Sequence, residues 1–305
     1  MILSICCNPC IDRYLFVEKL VPYELNRIRS EYDSFAGKGL NVAKTLSQLG
    51  AKSLATGFMY KEDSVRFISN LNDYKVESNF VELNGSVRVN LKVLDAIGIT
   101  EINKSGENVP LNKQEDLLEL VKVLSSNMEC AVISGSLPKG VSDDYYKKIA
   151  SVLQCPFVID SEGDRLLSAL PYHPEIIKPN LFELENIFKE KLTVDGMVRA
   201  SRKLIDMGAK SVLLSLGRDG GMLITKSRVL SASAPLIQVV SATGAGDSML
   251  SAALLAKLNG ESDEEILRAG VAAGSAACLT VGTTPLKKSD FDRLLKDVKV
   301  TELEL

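Results

Sequence analysis

Two hydrophobic periods alternate along the chain and divide it into different kinds of element. Residues 2–6 form a short apolar run ended by Asn8-Pro9, the pattern of a strand buried on both faces. Residues 13–19 and 26–34, separated by Pro22, mix partial alternation with exposed charges and predict strands outside the main sheet. Leu40, Ala43, Leu46 and Leu49 then recur at helical spacing until Gly50. Residues 51–58 and 76–81 are short apolar segments flanking a predicted helix at 63–71. Residues 86–93 alternate throughout, with Val87, Val89, Leu91 and Val93 on one face, Arg88, Asn90 and Lys92 on the other, and 99–103 as a partner strand. That polar face is open to two readings, a solvated surface or the wall of an anionic site.

From Leu111 the pattern becomes regular. Predicted helices at 113–124, 143–153, 165–170 and 184–190 alternate with predicted strands at 130–133, 157–160, 176–178 and 211–216. A hairpin at 220–225 and 228–233 follows, and helices at 248–258 and 263–279 close the body. Short links between alternating β and α elements predict an α/β fold with a parallel sheet covered on both faces. Ligand groups then belong in the loops after the strands, here residues 134–140, 160–162, 178–183 and 215–217. The strands before residue 36 and around 86–103 read as one appendage made from two insertions.

Candidate chemistry concentrates at two glycine-rich turns. In the segment 239–253, Gly244 and Gly246 allow consecutive N–H groups to converge on an anion, and a helix rich in Ala, Leu and Met starts at once. Asp247 at that helix start either caps the helix or acts on whatever is bound there. The turn lacks the lysine of a P-loop and the third glycine of a dinucleotide fingerprint. The second turn, Gly37-Lys38-Gly39-Leu40-Asn41, groups backbone donors, a cation and an amide suited to a polyhydroxylated or phosphorylated ligand. Asp12, just past the first strand, is either a ligand group or a turn-forming Asx residue.

Composition narrows the field. The 305 residues are 46% hydrophobic and 25% charged, enough for a large core, and a net charge of −3 without a long basic run argues against nucleic acid. The first residues lack a basic leader, and no run approaches the ~18 apolar residues of a membrane span. A soluble, cytoplasmic protein with no membrane partner is expected. Six cysteines and a single histidine, His173, give no zinc pattern, no dense disulfide framework and no His-based triad.

Seven motifs together resemble the ribokinase-like carbohydrate kinases of the PfkB group, nearly end to end. They are Asn8-Pro9-x-x-Asp12, the segment 36–43, Arg88-Val89-Asn90-Leu91-Lys92, Thr100-Glu101-Ile102-Asn103, Ser134-Gly135-Ser136-Leu137-Pro138, Lys178-Pro179-Asn180-x-x-Glu183 and Thr243-Gly244-Ala245-Gly246-Asp247-Ser248. The resemblance implies a ribokinase-like three-layer α/β/α sandwich with a small β-sheet lid. It implies one kinase domain over residues 1–305, the lid formed by insertions at about 13–36 and 86–103. Within the group, the Asn-Pro opening, Gly-Lys-Gly and Thr-Glu-Ile-Asn are similar to the hexose-phosphate kinases.

The implied reaction is transfer of the γ-phosphoryl of ATP, with Mg²⁺, to a ketohexose phosphate. Fructose 1-phosphate comes first, with tagatose 6-phosphate or fructose 6-phosphate as alternatives. Asp247 would be the base, with Gly244, Ala245 and Gly246 forming the cradle for the transferring group. Asp12, Gly37, Gly39, Asn41, Asn90 and Ser136 would line the sugar site. Lys38, Arg88 and Lys139 would be the cations for its existing phosphate, and Arg27 would reach across a lid-to-lid homodimer. Lys178, Asn180, Glu183, Ser215, Gly217 and Thr243 would serve the nucleotide, Glu183 holding Mg²⁺ through water. Cys6-Cys7 and Cys10, the lid turn Asp95-Ala96-Ile97-Gly98 and the segment Val281-Gly282-Thr283-Thr284 depart from the family pattern, which leaves substrate identity open. A sugar-phosphate-binding regulator without turnover is the reading from another class. A NAD-linked dehydrogenase lacks its fingerprint after the first strand.

Overall fold

The computed structural model describes residues 1–304. In chain order the first half comprises β1 (Ile2–Cys6), β2 (Cys10–Val17), β3 (Ile28–Ala36), α1 (Lys38–Gln48), β4 (Ser53–Tyr60), α2 (Ser64–Asp73), β5 (Glu77–Ser78), β6 (Val81–Leu83), β7 (Arg88–Leu94), β8 (Ile99–Ile102) and α3 (Leu111–Ser125). Then follow β9 (Cys130–Ser134), α4 (Tyr145–Val152), β10 (Phe157–Asp160), α5 (Gly163–Ala169), α6 (Leu181–Phe188), α7 (Val194–Asp206), β11 (Val212–Ser215), β12 (Gly221–Ile224) and β13 (Val229–Ala232). The chain closes with α8 (Ala245–Leu258), α9 (Asp263–Ala277), α10 (Lys288–Leu294) and β14 (Val300–Glu302).

The main sheet runs β5-β4-β1-β9-β10 with parallel pairing throughout. Residues around Ile177 bridge Ile159 on one side and Val212 on the other, joining this half to β11-β12-β13-β14. That second part is antiparallel, so the all-parallel expectation holds for only one half. The period-2 alternation of the strands splits the core into two layers. Val132, Val158 and Leu213 pack with α8 and α9, whereas Ile133, Ile159 and Leu214 pack beneath α3, α4 and α7. Gly270 and Gly274 let α9 approach α8 closely, since a Cβ there would lie 3.2 Å from the Met249 carbonyl oxygen and 3.3 Å from that of Ala245.

A second sheet, order β3-β2-β7-β8, is the appendage, and its pairing is antiparallel except between β2 and β7. The register pairs Tyr14 with Tyr32, whose rings stack 4.6 Å apart, and Arg13 with Asp33, to whose two carboxylate oxygens Arg13 donates from Nε and Nη2 at 2.7 and 2.9 Å. Its polarity is inverted relative to an ordinary surface sheet. On β7 the polar Asn90 and Lys92 are buried while Val89, Leu91 and Val93 are only half-buried. The polar face is therefore a wall of an interior site, which decides between the two readings of that alternation.

Some elements differ from expectation. β2 begins at Cys10, so Asp12 is a strand residue and not a turn former. Residues 76–81 split into two short strands that both pair with β4. Helix α7 was not anticipated, although Thr193 caps it and Val194, Val198, Ser201 and Leu204 recur at helical spacing.

The crossing of α1 over β1 yields a stability test. A Cβ on Gly39 would lie 2.6 Å from the Ile5 carbonyl oxygen and 2.9 Å from the Cys6 Cβ, whereas one on Gly98 would meet nothing within 4 Å. Gly39→Ala is expected to destabilise the protein by about 1–3 kcal/mol through overpacking, and Gly98→Ala to stay within about 0.5 kcal/mol. Urea denaturation followed by circular dichroism measures both.

Candidate active site

At the carboxyl edge of the parallel strands four charged side chains from distant parts of the chain meet. Asp160, the last residue of β10, is 1% exposed. Lys38 Nζ donates to its Oδ1 at 3.1 Å, and Lys178 Nζ lies 3.3 Å from its Oδ2. Burial opposes ionisation of Asp160, but the two ammonium groups outweigh it and hold the carboxyl below its ordinary range. Asp160 in turn raises the affinity of Lys38 for its proton.

The N-terminus of α8 faces this cluster. Gly244 precedes it at φ 81°, a left-handed conformation that suits glycine, and no side chain caps the helix; the Ala245 N–H makes a long turn bond of 3.3 Å to the Ala242 carbonyl oxygen, and the N–H groups of Gly246 and Asp247 are open to an anion. A Cβ on Gly246 would sit 3.0 Å from Lys178 Nζ, so glycine there lets the ammonium group reach the cradle. Asp247 is 4% exposed, and its Oδ2 accepts from Asn41 Nδ2 at 2.8 Å. Burial, then the nearby Asp160 carboxylate, push its pKa up to about 6, against the pull of Lys38 and the Asn41 hydrogen bond. A carboxylate tuned this way, next to a cradle and without a capping bond, has the properties of a general base.

A cavity of about 400 Å³ opens between this edge and the second sheet, lined by Asp12, Gly37, Lys38, Asn41, Arg88 and Asn90 among others. Asn90 Nδ2 donates to Asp12 Oδ1 at 2.8 Å, and Cys10 Sγ approaches the same oxygen at 3.5 Å. Two donors on one oxygen leave Asp12 Oδ2 as the acceptor for a ligand. Arg88 donates to the carbonyl oxygens of Lys104 (2.9 Å) and Asn8 (3.2 Å), and among the described residues no carboxylate pairs with it. A neighbouring cavity of about 270 Å³ shares Lys38, Arg88 and Glu183 and adds Ser136, whose hydroxyl accepts from Asn8 Nδ2 at 3.1 Å.

Across the α8 N-terminus lies a third, mostly apolar cavity of about 440 Å³, with Asn180, Ser215, Gly217, Ala245 and Gly246 on its inner side. Asn180 and Glu183 form a reciprocal capping box on α6, the Asn180 side chain accepting from the Glu183 N–H at 2.8 Å and Glu183 accepting from the Asn180 N–H at 2.9 Å. Burial raises the Glu183 pKa. Among the described residues no group of three or more His, Cys, Asp or Glu side chains could hold a metal.

Three predicted site residues stand elsewhere. Gly39 does not line the cavities, because it faces β1 and its absent side chain serves helix–strand packing. Lys139 is exposed on the loop after β9, where it pairs with Asn108 and lines neither the 400 Å³ nor the 270 Å³ cavity. Arg27 is exposed on the β2–β3 connection. The wall of the 400 Å³ cavity also carries Asp160, which the sequence places in a ligand loop without a role, Lys92, one of the two cations of the alternating strand, and Asn103 and Thr283, which were given no site role. Asp160 had a usable signal, an acid directly after an apolar strand. Thr283 was marked only as part of a segment that departs from the family pattern; the structure places it at this cavity, where its hydroxyl lies 2.5 Å from that of Ser34 on β3.

Comparison with known proteins agrees with this geometry. The pfkB family carbohydrate kinase pattern matches residues 2–289. The chain is 34% identical to the 1-phosphofructokinase of Bacillus subtilis, covering 99% of this chain and 100% of that one. It is 32% identical to the D-tagatose-1-phosphate kinase of Bacillus licheniformis over the same shares. Among solved structures, phosphofructokinase-2 from Escherichia coli in complex with substrates and products superposes with a TM-score of 0.91 at 29% identity, covering 97% of this chain and 98% of that one. An α/β/α body with a small second sheet, an open helix N-terminus beside a buried aspartate and a family match over nearly the whole chain lead to one conclusion: this protein belongs to the pfkB family of carbohydrate kinases.

Proposed function

We propose that the chain is a single kinase domain that phosphorylates a ketohexose 1-phosphate with ATP, fructose 1-phosphate foremost. The observation that carries this reading is Asp247, buried at the mouth of an anion cradle with its pKa pushed up to about 6. The sugar, held by Asp12, Gly37, Asn41 and Asn90, presents its free primary hydroxyl to Asp247. As that oxygen attacks the γ-phosphorus of ATP, Asp247 takes its proton and the bond to the β–γ bridging oxygen breaks, releasing ADP. The N–H groups of Ala245, Gly246 and Asp247 and the Lys178 ammonium stabilise charge on the transferring group. Arg88, with Lys38 and Ser136, is assigned to the phosphate already on the sugar.

The apolar cavity beyond α8 suits the adenine and ribose, with Ser215 and Gly217 at its edge and Thr243 at the phosphates. Mg²⁺ keeps several waters and needs only one or two carboxylates beside substrate phosphates, so Glu183, held by Asn180 at the junction of two cavities, fits an outer-shell role. The metal supplies neutralisation of phosphate charge. The second sheet acts as the lid, excluding water from the transfer. Its outer strands expose Ile28, Ile99 and Ile102, apolar surface suited to a lid-to-lid homodimer through which Arg27 reaches the partner's site. Another Escherichia coli phosphofructokinase-2 structure, 29% identical with a TM-score of 0.88 and covering 97% of this chain and 98% of that one, is of a tetrameric inhibited form. No helix among the described residues is long and apolar enough to cross a membrane, and the proposed setting is the cytoplasm. The second substrate reading is tagatose 1-phosphate, favoured over the 6-phosphate by the name of the Bacillus licheniformis relative.

An ADP-release assay over hexose phosphates tests the reading. Fructose 1-phosphate should be preferred, and Asp247→Asn should lower kcat by about 10²–10⁴ while retaining sugar-phosphate binding. Binding without turnover in the parent would point to the regulator instead. Arg88→Ala should raise the KM for the sugar phosphate by at least about tenfold and leave the KM for ATP unchanged; equal losses would reject its assignment.

A further inference from the structure

Lys92 is a buried lysine for which the reaction above provides no task. It stands on the inward face of β7, two positions beyond Asn90, and its side chain is only 7% exposed. It lines the same cavity as Asp12 and Arg88. Glu101 of β8, its cross-strand register partner, comes within 2.7 Å of Lys92 Nζ, and Asn103 Oδ1 accepts from Nζ at 3.4 Å. Asn103 Nδ2 donates to the same Glu101 carboxylate at 3.4 Å. An ammonium group has three donors, and among the described residues only these two acceptors reach it. A desolvated charge left with an open donor at a cavity wall is costly unless a bound molecule completes it.

The two cations of this strand differ in how they are neutralised. Arg88 has no carboxylate partner among the described residues, whereas Lys92 carries Glu101 with it. An uncompensated guanidinium suits a phosphate dianion. A lysine paired one to one with its own carboxylate presents a polar but nearly neutral pair, suited to a hydroxyl, unlike Lys38 and Lys178, which share the single Asp160 carboxylate and keep a net positive charge. We propose that Lys92 contacts a hydroxyl of the sugar, held in place by Glu101 as a positioning residue, so that the lid strand β7 reads the sugar with Lys92 and its phosphate with Arg88. This rests on the sugar-phosphate reading of the cavity but adds a residue and a division of labour to it.

Calorimetric binding to the full chain tests the proposal without requiring turnover. The ligands are fructose 1-phosphate alone, inorganic phosphate as its displacer, and ATP. Lys92→Met should weaken fructose 1-phosphate at least about tenfold while leaving displacement by inorganic phosphate and the binding of ATP within about twofold. Lys92→Arg should restore part of the loss. Glu101→Gln, at a half-exposed position, should move the same constant in the same direction by less, and it keeps the test open if Lys92→Met does not fold. Arg88→Ala should weaken both the sugar phosphate and inorganic phosphate. If Lys92→Met weakens inorganic phosphate as much as fructose 1-phosphate, Lys92 reads the phosphoryl group and the proposal is wrong. If neither constant moves, or if all three do, the pair is structural and the proposal is also wrong. A parent that binds fructose 1-phosphate but does not turn it over would sink the kinase reading and leave this one to be judged by the same constants. A parent that binds no hexose phosphate overturns both.

Discussion

The Asp160 carboxylate, buried between the ammonium groups of Lys38 and Lys178, is the interaction on which the site depends. Each partner arrives by a different route. Asp160 ends a parallel strand, Lys38 opens the helix that follows the second sheet, and Lys178 lies in the extended segment joining the two halves of the main sheet. An open α/β sheet collects such groups because its strands all end on one edge. Pairing is what makes their burial tolerable, since an isolated buried carboxylate would take up a proton. The same Asp160 charge reaches Asp247 and, after burial itself, is the largest influence raising its pKa. One carboxylate therefore steadies two cations and tunes the neighbouring acid.

The second sheet contributes chemistry as well as cover. Parallel pairing of β2 with β7 sets Asp12 beside Asn90 and Tyr14 beside Lys92, so polar side chains of both strands fall on one face. That face is more buried than the apolar side of β7, the reverse of a sheet that turns its hydrophobic side to a core. Contact with the body is made at the Val281–Thr284 turn. There Thr283 bonds Ser34, and Gly282 permits the Tyr14 ring to approach, as a Cβ would lie 2.8 Å from it. This turn also passes close to Gly244, so the cavity beneath the second sheet and the N-terminus of α8 share a boundary.

Much of this is legible in the sequence. The β/α alternation after Leu111 announced the sheet, and Gly244, Gly246 and Asp247 announced the cradle, because glycine requirements and helix starts are local properties. What was not legible depended on distance in the chain. The polar alternation of Arg88, Asn90 and Lys92 has the same pattern whether the face meets water or a cavity, and only the β2–β7 pairing decides it. Gly37 and Gly39 look equivalent in sequence, yet one lines the cavity and the other packs on β1. Lys139 follows a motif that does reach the site through Ser136, but its own side chain turns to solvent. Helix α7 has helical spacing in the sequence but carries no site residue.

The central claim is that Asp247 is the base and that its surroundings hold its pKa well above that of an ordinary aspartate. The most direct measurement is kcat/KM for the sugar phosphate between pH 5 and 8 at saturating ATP, which reports ionisations of the ATP-bound enzyme and of the free sugar phosphate; the latter's second ionisation, at about pH 6, is common to every variant, so a shift of the limb on substitution is what assigns it to the enzyme. A base acts only when deprotonated, and this one has a raised pKa, so activity should be full above about pH 7 and fall roughly tenfold per unit below about 6. Asp160→Asn, which removes the neighbouring negative charge, should move that limb to lower pH in whatever activity remains. A profile flat down to pH 5, or a limb that Asp160→Asn leaves in place, would contradict the account.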